Sequence, residues 1–295
     1  MARRLAKREP AMVPPPPPAL PIAGTHSLEI DEGHVVILSD CYYLPDEPAS
    51  TAHRACVELT SQFAEAGTLQ AVILNGDVAD FPKISRHQRI GWEQQPAVKD
   101  EITIIQQRMG EIAEVAGLDT SLVLTIGNHD ARLDSKLSAS VPELEGVPGL
   151  DLRSQISPEW AMAWQVEING SAGPGSVLVK HRHRSGAGAP KANVIAAGRS
   201  IVTGHTHQQG IFRLTHGTTH LFGVDAGTMA SLQSRAFVGY TEMAAAAGMS
   251  NWASGFVVLT FASGRLLPPE HVLVLDEEAG LWSWRGKIYR AGTVH

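Results

Sequence analysis

Apolar residues recur along this chain with two different periods. Short continuous runs, such as Val35-Val36-Ile37-Leu38 and Phe256-Val257-Val258-Leu259, are strand-sized and read as strands buried on both faces. They predict strands over 34–39, 70–74 and 121–126 in the first half. Between them, Ala52, Ala55, Cys56, Leu59 and Phe63 form a helical stripe that Ser50 can cap and Gly67 can end. Val98, Ile102, Ile105, Met109, Ile112 and Ala116 form a longer stripe closed by Gly117. The second half is richer in strands, predicted at 164–168, 177–181, 200–204, 211–215, 219–224, 255–261 and 271–275, with the turn Asn169–Gly175 joining the first two. Alternation followed by consecutive strands predicts an α/β fold with a mixed sheet system, not a pure doubly wound sheet.

Composition narrows this little further. The 295 residues are 43% hydrophobic and 18% charged, which excludes wholesale disorder, a collagen-like repeat and a coiled coil. No apolar run approaches the ~20 residues of a membrane helix, so no membrane partner is expected. The first residues are basic and run into Pro14–Pro18, where a secretory signal would need an apolar helix. Residues 1–27 therefore read as a flexible Pro-rich tail, and 28–295 as one domain. Without its basic first ten residues the chain carries a charge of -9, which argues against a broad nucleic-acid-binding face. Cys41 and Cys56 cannot make a disulfide framework and read as small buried hydrophobes in a reducing, cytoplasmic setting.

The chemistry follows the apolar runs. Val35–Ser39 leads into Asp40; Ala71–Gly76 into Asp77; Leu122–Gly127 into Asn128-His129-Asp130; Ser200–Gly204 into His205-Thr206-His207. Ligand sites of α/β sheets lie at the carboxyl ends of strands. If these strands share a direction, Asp40, Asp77, Asn128, His205 and His207 meet there. Carboxylate, amide oxygen and imidazole are the donor set of a divalent transition metal. Gly76, Gly127 and Gly204 each precede a proposed ligand and allow close backbone approach. Any one of these pieces is ordinary loop chemistry; four strand ends in succession are not.

The order Asp40, Gly76-Asp77-Val78-Ala79-Asp80, Gly127-Asn128-His129-Asp130 and Gly204-His205-Thr206-His207, with a histidine between the last two, resembles the metallophosphoesterase superfamily, the calcineurin-like phosphoesterases. The motifs span 40 to 207, and the nearest likeness is to small bacterial and phage-type members, through Asp225-Ala226-Gly227-Thr228 and Asn251-Trp252 as well. The resemblance implies a metallophosphoesterase-like four-layer αββα sandwich with two mixed β-sheets and a two-metal site. Asp77 would bridge both ions, Asp40 and His207 would hold the first, and Asn128, His205 and a further histidine the second. That histidine is His181, first past the apolar run 177–180, in preference to His183, although Arg182 stands where the family usually has glycine. His129 would bind no metal but sit beside the substrate, held by a carboxylate, Asp80 or Asp130. The cofactors implied are two divalent ions, Mn²⁺ first, with Fe, Zn or Ni as alternatives.

One position departs from the pattern. The family's first motif is usually Asp-x-His, and here it is Asp40-Cys41-Tyr42. Tyr42 ligates as phenolate, hydrogen-bonds a metal-bound water, or leaves the first site weak; Cys41 should point away by strand alternation. The leading expectation is a dinuclear-metal phosphoesterase, more a phosphodiesterase than a monoesterase, using a metal-bridging hydroxide on a phosphate-ester substrate. The alternatives are a metal-dependent nuclease acting on DNA or RNA ends, and a degenerate, non-catalytic binding protein with a weakened first site. Lys180, Arg182 and Arg184 are candidate phosphate contacts or a solvated loop. Lys83, Arg86 and Arg89 follow the second motif and are candidates for another wall of the site, with a solvated helix face the preferred reading.

Overall fold

The Val35–Leu38 run lies at the centre of a large mixed sheet in the computed structural model, which describes residues 22–87, 94–237 and 251–292. The first half holds β1 (Ala23–Leu28), β2 (Gly33–Leu38), α1 (Thr51–Glu65), β3 (Leu69–Asn75), α2 (Val98–Ala116), β4 (Ser121–Thr125), α3 (Arg132–Ser140) and α4 (Leu152–Gln155). Then come β5 (Ala161–Ile168), β6 (Val177–Val179), α5 (Ala189–Ala197), β7 (Ser200–Thr203), β8 (Gln209–His216) and β9 (Thr219–Ala226). The chain finishes with β10 (Gly255–Ala262), β11 (Arg265–Leu266), β12 (Glu270–Asp276), β13 (Leu281–Trp284) and β14 (Lys287–Arg290).

Hydrogen bonding runs in the order β14-β13-β12-β10-β2-β3-β4-β5-β6-β7-β9-β8, with β1 on β5 and β11 on β10. β2, β3, β4 and β5 are mutually parallel. β6 is antiparallel to β5, and β7 and β9 run parallel to β6. The strands that lead into the motifs therefore do not all share one direction along the ladder, the condition under which their ends were expected to meet. Residues from both parts of the ladder nonetheless share one core. Val35, Ile37 and Ile73 share a cluster with Val179, Val202 and Val224, and no helical residue belongs to it.

The alternation within one run explains the layering. Val36 and Leu38 point to the opposite face, where Leu59 and Phe63 of α1 and Ile105 and Met109 of α2 cover them. Successive strand side chains face opposite ways, so a strand buried on both sides must be apolar throughout. On the far side, Val194 of α5 packs on Leu178 and Ile201. The predicted caps form: Ser50 accepts the backbone N–H of His53, and Gly117 follows α2 at φ 78°.

The structure adds elements that the periodicity did not predict. β1 occupies 23–28, so a strand lies inside the segment read as tail; residues 1–21, like Arg89, lie outside the described residues. Ala23-Gly24-Thr25-His26-Ser27-Leu28 has no apolar alternation, and its partner β5 supplies the ladder instead. α5 escaped because its alanines give almost no stripe, although Pro190 near its start and Gly198 after it are ordinary helix boundaries. Cys41 and Cys56 are buried free thiols. Among the described residues no helix is long and apolar enough to cross a membrane.

Candidate metal centre

The loops after β2 and β3 are joined by backbone bonds: Asp40 N–H to Gly76 O at 3.1 Å, Tyr42 N–H to Asp77 O at 3.1 Å, and Tyr43 N–H to Val78 O at 3.0 Å. This pairing forces unusual backbone. Asp40, Tyr42, Asp77, His205 and His207 have φ of 53°, 44°, 49°, 70° and 57°, half of the ten positive-φ non-glycine residues described. Such strain persists only where surrounding contacts fix it, and it concentrates at functional sites. The glycines complete the packing. A methyl group on Gly76 would strike the His181 ring, one on Gly127 would strike Asp77, and one on Gly204 would strike Ser39 and Asp40.

The side chains converge accordingly. Asp77, His181 and His205 bring one donor atom each within 4.8 Å of the others. Asp77 Oδ2 lies 3.1 Å from His181 Nε2. Asp40 Oδ1 lies 3.3 Å from His207 Nε2, and Asp40 Oδ2 accepts the His205 N–H at 2.8 Å. Tyr42 reaches both carboxylates and His207: its Oη is 3.4 Å from Asp40 Oδ1, 3.3 Å from Asp77 Oδ2 and 3.1 Å from His207 Nε2. Phe237 and Trp252 wall His207, with ring centroids 5.1 and 4.5 Å from its own. Asn128 Oδ1 is buried without a hydrogen-bond partner.

His129 stands beside this group. Its backbone N–H donates to Asp77 Oδ1 at 2.8 Å, and its Nε2 is 3.9 Å from Asp77 Oδ2. Nδ1 is 2.8 Å from Asp80 Oδ1, and Nε2 is 3.2 Å from an Arg132 nitrogen. A carboxylate only accepts and a guanidinium only donates, which places the hydrogen on Nδ1 and the lone pair on Nε2. Asp80 is thus the carboxylate that holds His129. Asp130, the other candidate for that role, turns away and accepts backbone N–H groups from Asp77, Val78, Ala79 and Gly127 at 2.9–3.2 Å. It ties the second motif to the third, which its spacing alone could not tell.

Burial and neighbouring charge work against each other in this cluster. Burial opposes ionisation of Asp77, yet His181 and His129 hold its carboxyl far below the usual range. Asp40 is lowered too: burial works against it, but His181 and His207 prevail. Burial likewise opposes charge on His181, and the carboxylates of Asp77 and Asp40 reverse this and raise its pKa strongly. His181 Nδ1 is 2.7 Å from the Asn75 carbonyl and its Nε2 faces Asp77. Both nitrogens confront acceptors, so something cationic belongs between Nε2 and the carboxylate: a proton or a metal ion. His205 is shifted downward, by burial first and then by His181.

The structure therefore brings Asp40, Tyr42, Asp77, His181, His205 and His207 into one cluster, buried except at the half-buried His205, with His129 and Asp80 next to it. It selects His181 over His183, which is exposed. Arg182 and Arg184 are exposed beyond it, as are Lys83 and Arg86. Four participants had no role assigned from the sequence. Ser39 Oγ donates to Asp40 Oδ2 at 2.6 Å, Thr228 Oγ1 donates to the Asp40 carbonyl at 2.7 Å, Asn75 anchors His181, and Arg132 braces Asp80 and His129. Only Arg132 left a trace, three residues after His129 at the start of a helix. No protein-family model and no curated protein matches this chain.

Proposed function

We propose that this protein is a dinuclear-metal-dependent phosphoesterase of the metallophosphoesterase type, acting on phosphodiesters. The observation that carries the reading is the convergence of carboxylates and imidazoles at the ends of β2, β3, β6 and β7, with His181 confronting acceptors on both nitrogens. The helix-free cluster between the halves of the sheet, with α1 and α2 outside one half and α5 outside the other, supports the αββα sandwich that this reading implies.

The donor set fits two cations. Asp77 would join both, Asp40 and His207 would hold one, and Asn128, His181 and His205 the other; the unsatisfied Asn128 Oδ1 is explained by such a partner. When bound, two divalent ions supply the charge that polarises phosphate oxygens and makes water nucleophilic at neutral pH. The chain's own part is orientation and proton transfer. Asp80 fixes the His129 ring through Nδ1, so that Nε2 faces the cluster; freed of Arg132, its lone pair can take up a proton from solvent and pass it to the leaving oxygen. Arg132, now on Nε2, is placed to move onto a bound phosphate oxygen.

The test is hydrolysis of bis-p-nitrophenyl phosphate with Mn²⁺, Ni²⁺, Zn²⁺ and Mg²⁺ in turn, with bound metal counted by elemental analysis. Two ions per chain and metal-dependent release of nitrophenol are expected. A chain that binds no metal and hydrolyses neither this ester nor single-stranded DNA overturns the proposal.

A further inference from the structure

β7 and β9 are parallel neighbours, and their apolar runs close on Thr203 and Asp225, which pair across the ladder. Asp225 is fully buried, yet the partners of its carboxylate are neutral hydroxyls. Oδ1 accepts the Thr203 hydroxyl at 2.5 Å, and Oδ2 accepts the Thr206 hydroxyl at 2.9 Å. Its backbone carbonyl accepts the Nε2–H of His271 at 2.9 Å.

We infer that Asp225 is a positioning residue of the proposed metal centre: as shared acceptor of Thr203 and Thr206, it holds the His181 loop and the His205–His207 turn at ligand spacing. This rests on the two-metal reading above and extends it to a residue outside the ligand set. The direction of the hydrogen bonds makes Asp225 the point where two chains of donors end. Thr206 Oγ1 accepts the Gln208 N–H at 3.3 Å, and its one proton goes to Asp225. Thr203 Oγ1 accepts from Asn193 Nδ2 at 3.2 Å; its proton has the Val224 carbonyl at 3.2 Å as a longer alternative to Asp225. Asn193, also fully buried, accepts the Arg184 N–H on Oδ1 at 2.9 Å. One chain thus starts three residues past His181, and the other lies in the turn that carries His205 and His207. Ending both takes two acceptor oxygens, which a carboxylate has and an amide has not. Burial pushes Asp225 up to about 6, which leaves it ionised at neutral pH.

The turn needs such a tie. Its backbone is strained on either side of Thr206, at φ of 70° for His205 and 57° for His207, and strain of this kind persists only where contacts fix it. The His181 carbonyl accepts the Gly204 N–H at 2.9 Å, and the His181 and His205 rings stand 5.5 Å apart between centroids. A role in folding alone explains the carboxylate poorly. A buried charge facing neutral groups costs stability, and an apolar set of the same shape would serve folding as well. What Asp225 supplies is a fixed distance between ligand-bearing loops, the task of groups that orient metal ligands from outside.

The test is calorimetric titration of the metal-free full chain with Mn²⁺, alongside thermal unfolding of the same metal-free samples. Asp225→Asn and Thr206→Val should each bind ~10–100-fold more weakly than wild type, the usual loss when an orienting partner is removed. Thr206→Ser keeps the hydroxyl and should bind as wild type does, which separates the hydrogen bond from the packing of the turn. If Asp225→Asn does not fold, the two Thr206 variants carry the test alone. Asp225→Asn combined with Thr206→Val should lose no more than Asp225→Asn alone, because both remove the same tie. A lower unfolding midpoint with unchanged Mn²⁺ affinity in the single variants makes the network merely structural and overturns this inference; so do two losses that add. With two ions bound and the diester hydrolysed by wild type, either result leaves the phosphoesterase reading standing. A wild type that binds no Mn²⁺ overturns both.

Discussion

Two glycine-to-alanine substitutions should have opposite signs, and the difference can be worked from the structure alone. Gly127 has unexceptional φ, so a side chain there meets no backbone penalty. What it meets is Asp77: the methyl carbon would overlap its Oδ1 and crowd its backbone nitrogen. Overpacking of this kind costs ~1–3 kcal/mol. If Asp77 swings away it also loses the bond from the His129 N–H to Oδ1, a charge-assisted contact worth ~1.5–3 kcal/mol. The expected destabilisation of Gly127→Ala is thus ~2.5–6 kcal/mol, a large share of the ~5–15 kcal/mol that holds a typical domain. Gly110 lies inside α2, with nothing within 4 Å of where its methyl group would sit. Alanine there gains ~0.5–1 kcal/mol of helix propensity. Urea unfolding of metal-free protein measures both, which keeps any loss of metal binding out of the comparison. A Gly127→Ala midpoint equal to that of wild type would refute the packing argument, as would a Gly110→Ala variant less stable than wild type.

Further expectations concern charge and catalysis. Asp77→Asn should lose occupancy of both ions in elemental analysis, because one carboxylate is asked to serve both sites; two ions retained at wild-type affinity would exclude the bridging role. His129→Ala should keep the metals and lose ~10²–10⁴ in kcat on bis-p-nitrophenyl phosphate, the usual worth of a general acid; metal loss instead would make His129 a ligand. Glu101 is fully buried, accepts the Phe81 N–H at 2.8 Å, and is pushed up to about 8, chiefly by burial. The folded state then holds a proton that the unfolded chain has released, so this residue's contribution to stability is present below the ordinary carboxyl pKa and lost as pH rises through about 8. Glu101→Gln should flatten that part of the stability profile between pH ~5 and ~9, read by thermal unfolding across buffers.

How far the sequence disclosed all this depends on the kind of information each residue carries. Elements stabilised by their own pattern were legible: the α1 and α2 stripes fall where Phe63 and Ile105 pack under the sheet, and the 34–39 run became β2. Elements stabilised by a partner were not. β1 and β14 carry mostly exposed side chains and exist because β5 and β13 offer a ladder edge. Such pairing energy lies in the backbone and leaves no mark on side-chain periodicity.

The site divides in the same way. Metal-type donors at strand ends are chemically conspicuous, so Asp40, Asp77, His205 and His207 stood out before any geometry was known. The residues that aim them are chemically plain. Ser39 and Thr228 are two of many hydroxyls, and nothing in their neighbours shows that one grips the Asp40 carboxylate and the other its carbonyl. Asp130, one of two carboxylates offered for His129, shows the opposite case. It is conspicuous, but its carboxylate satisfies backbone N–H groups of two loops, a role that only the folded chain defines. Tyr42 joins both cases. Its identity flagged a departure, and only the fold shows that its hydroxyl lies 3.1–3.4 Å from Asp40 Oδ1, Asp77 Oδ2 and His207 Nε2. A residue placed between the two strained loops touches both carboxylates at once, so a change at position 42 reaches both motifs, which its place in the sequence could not tell.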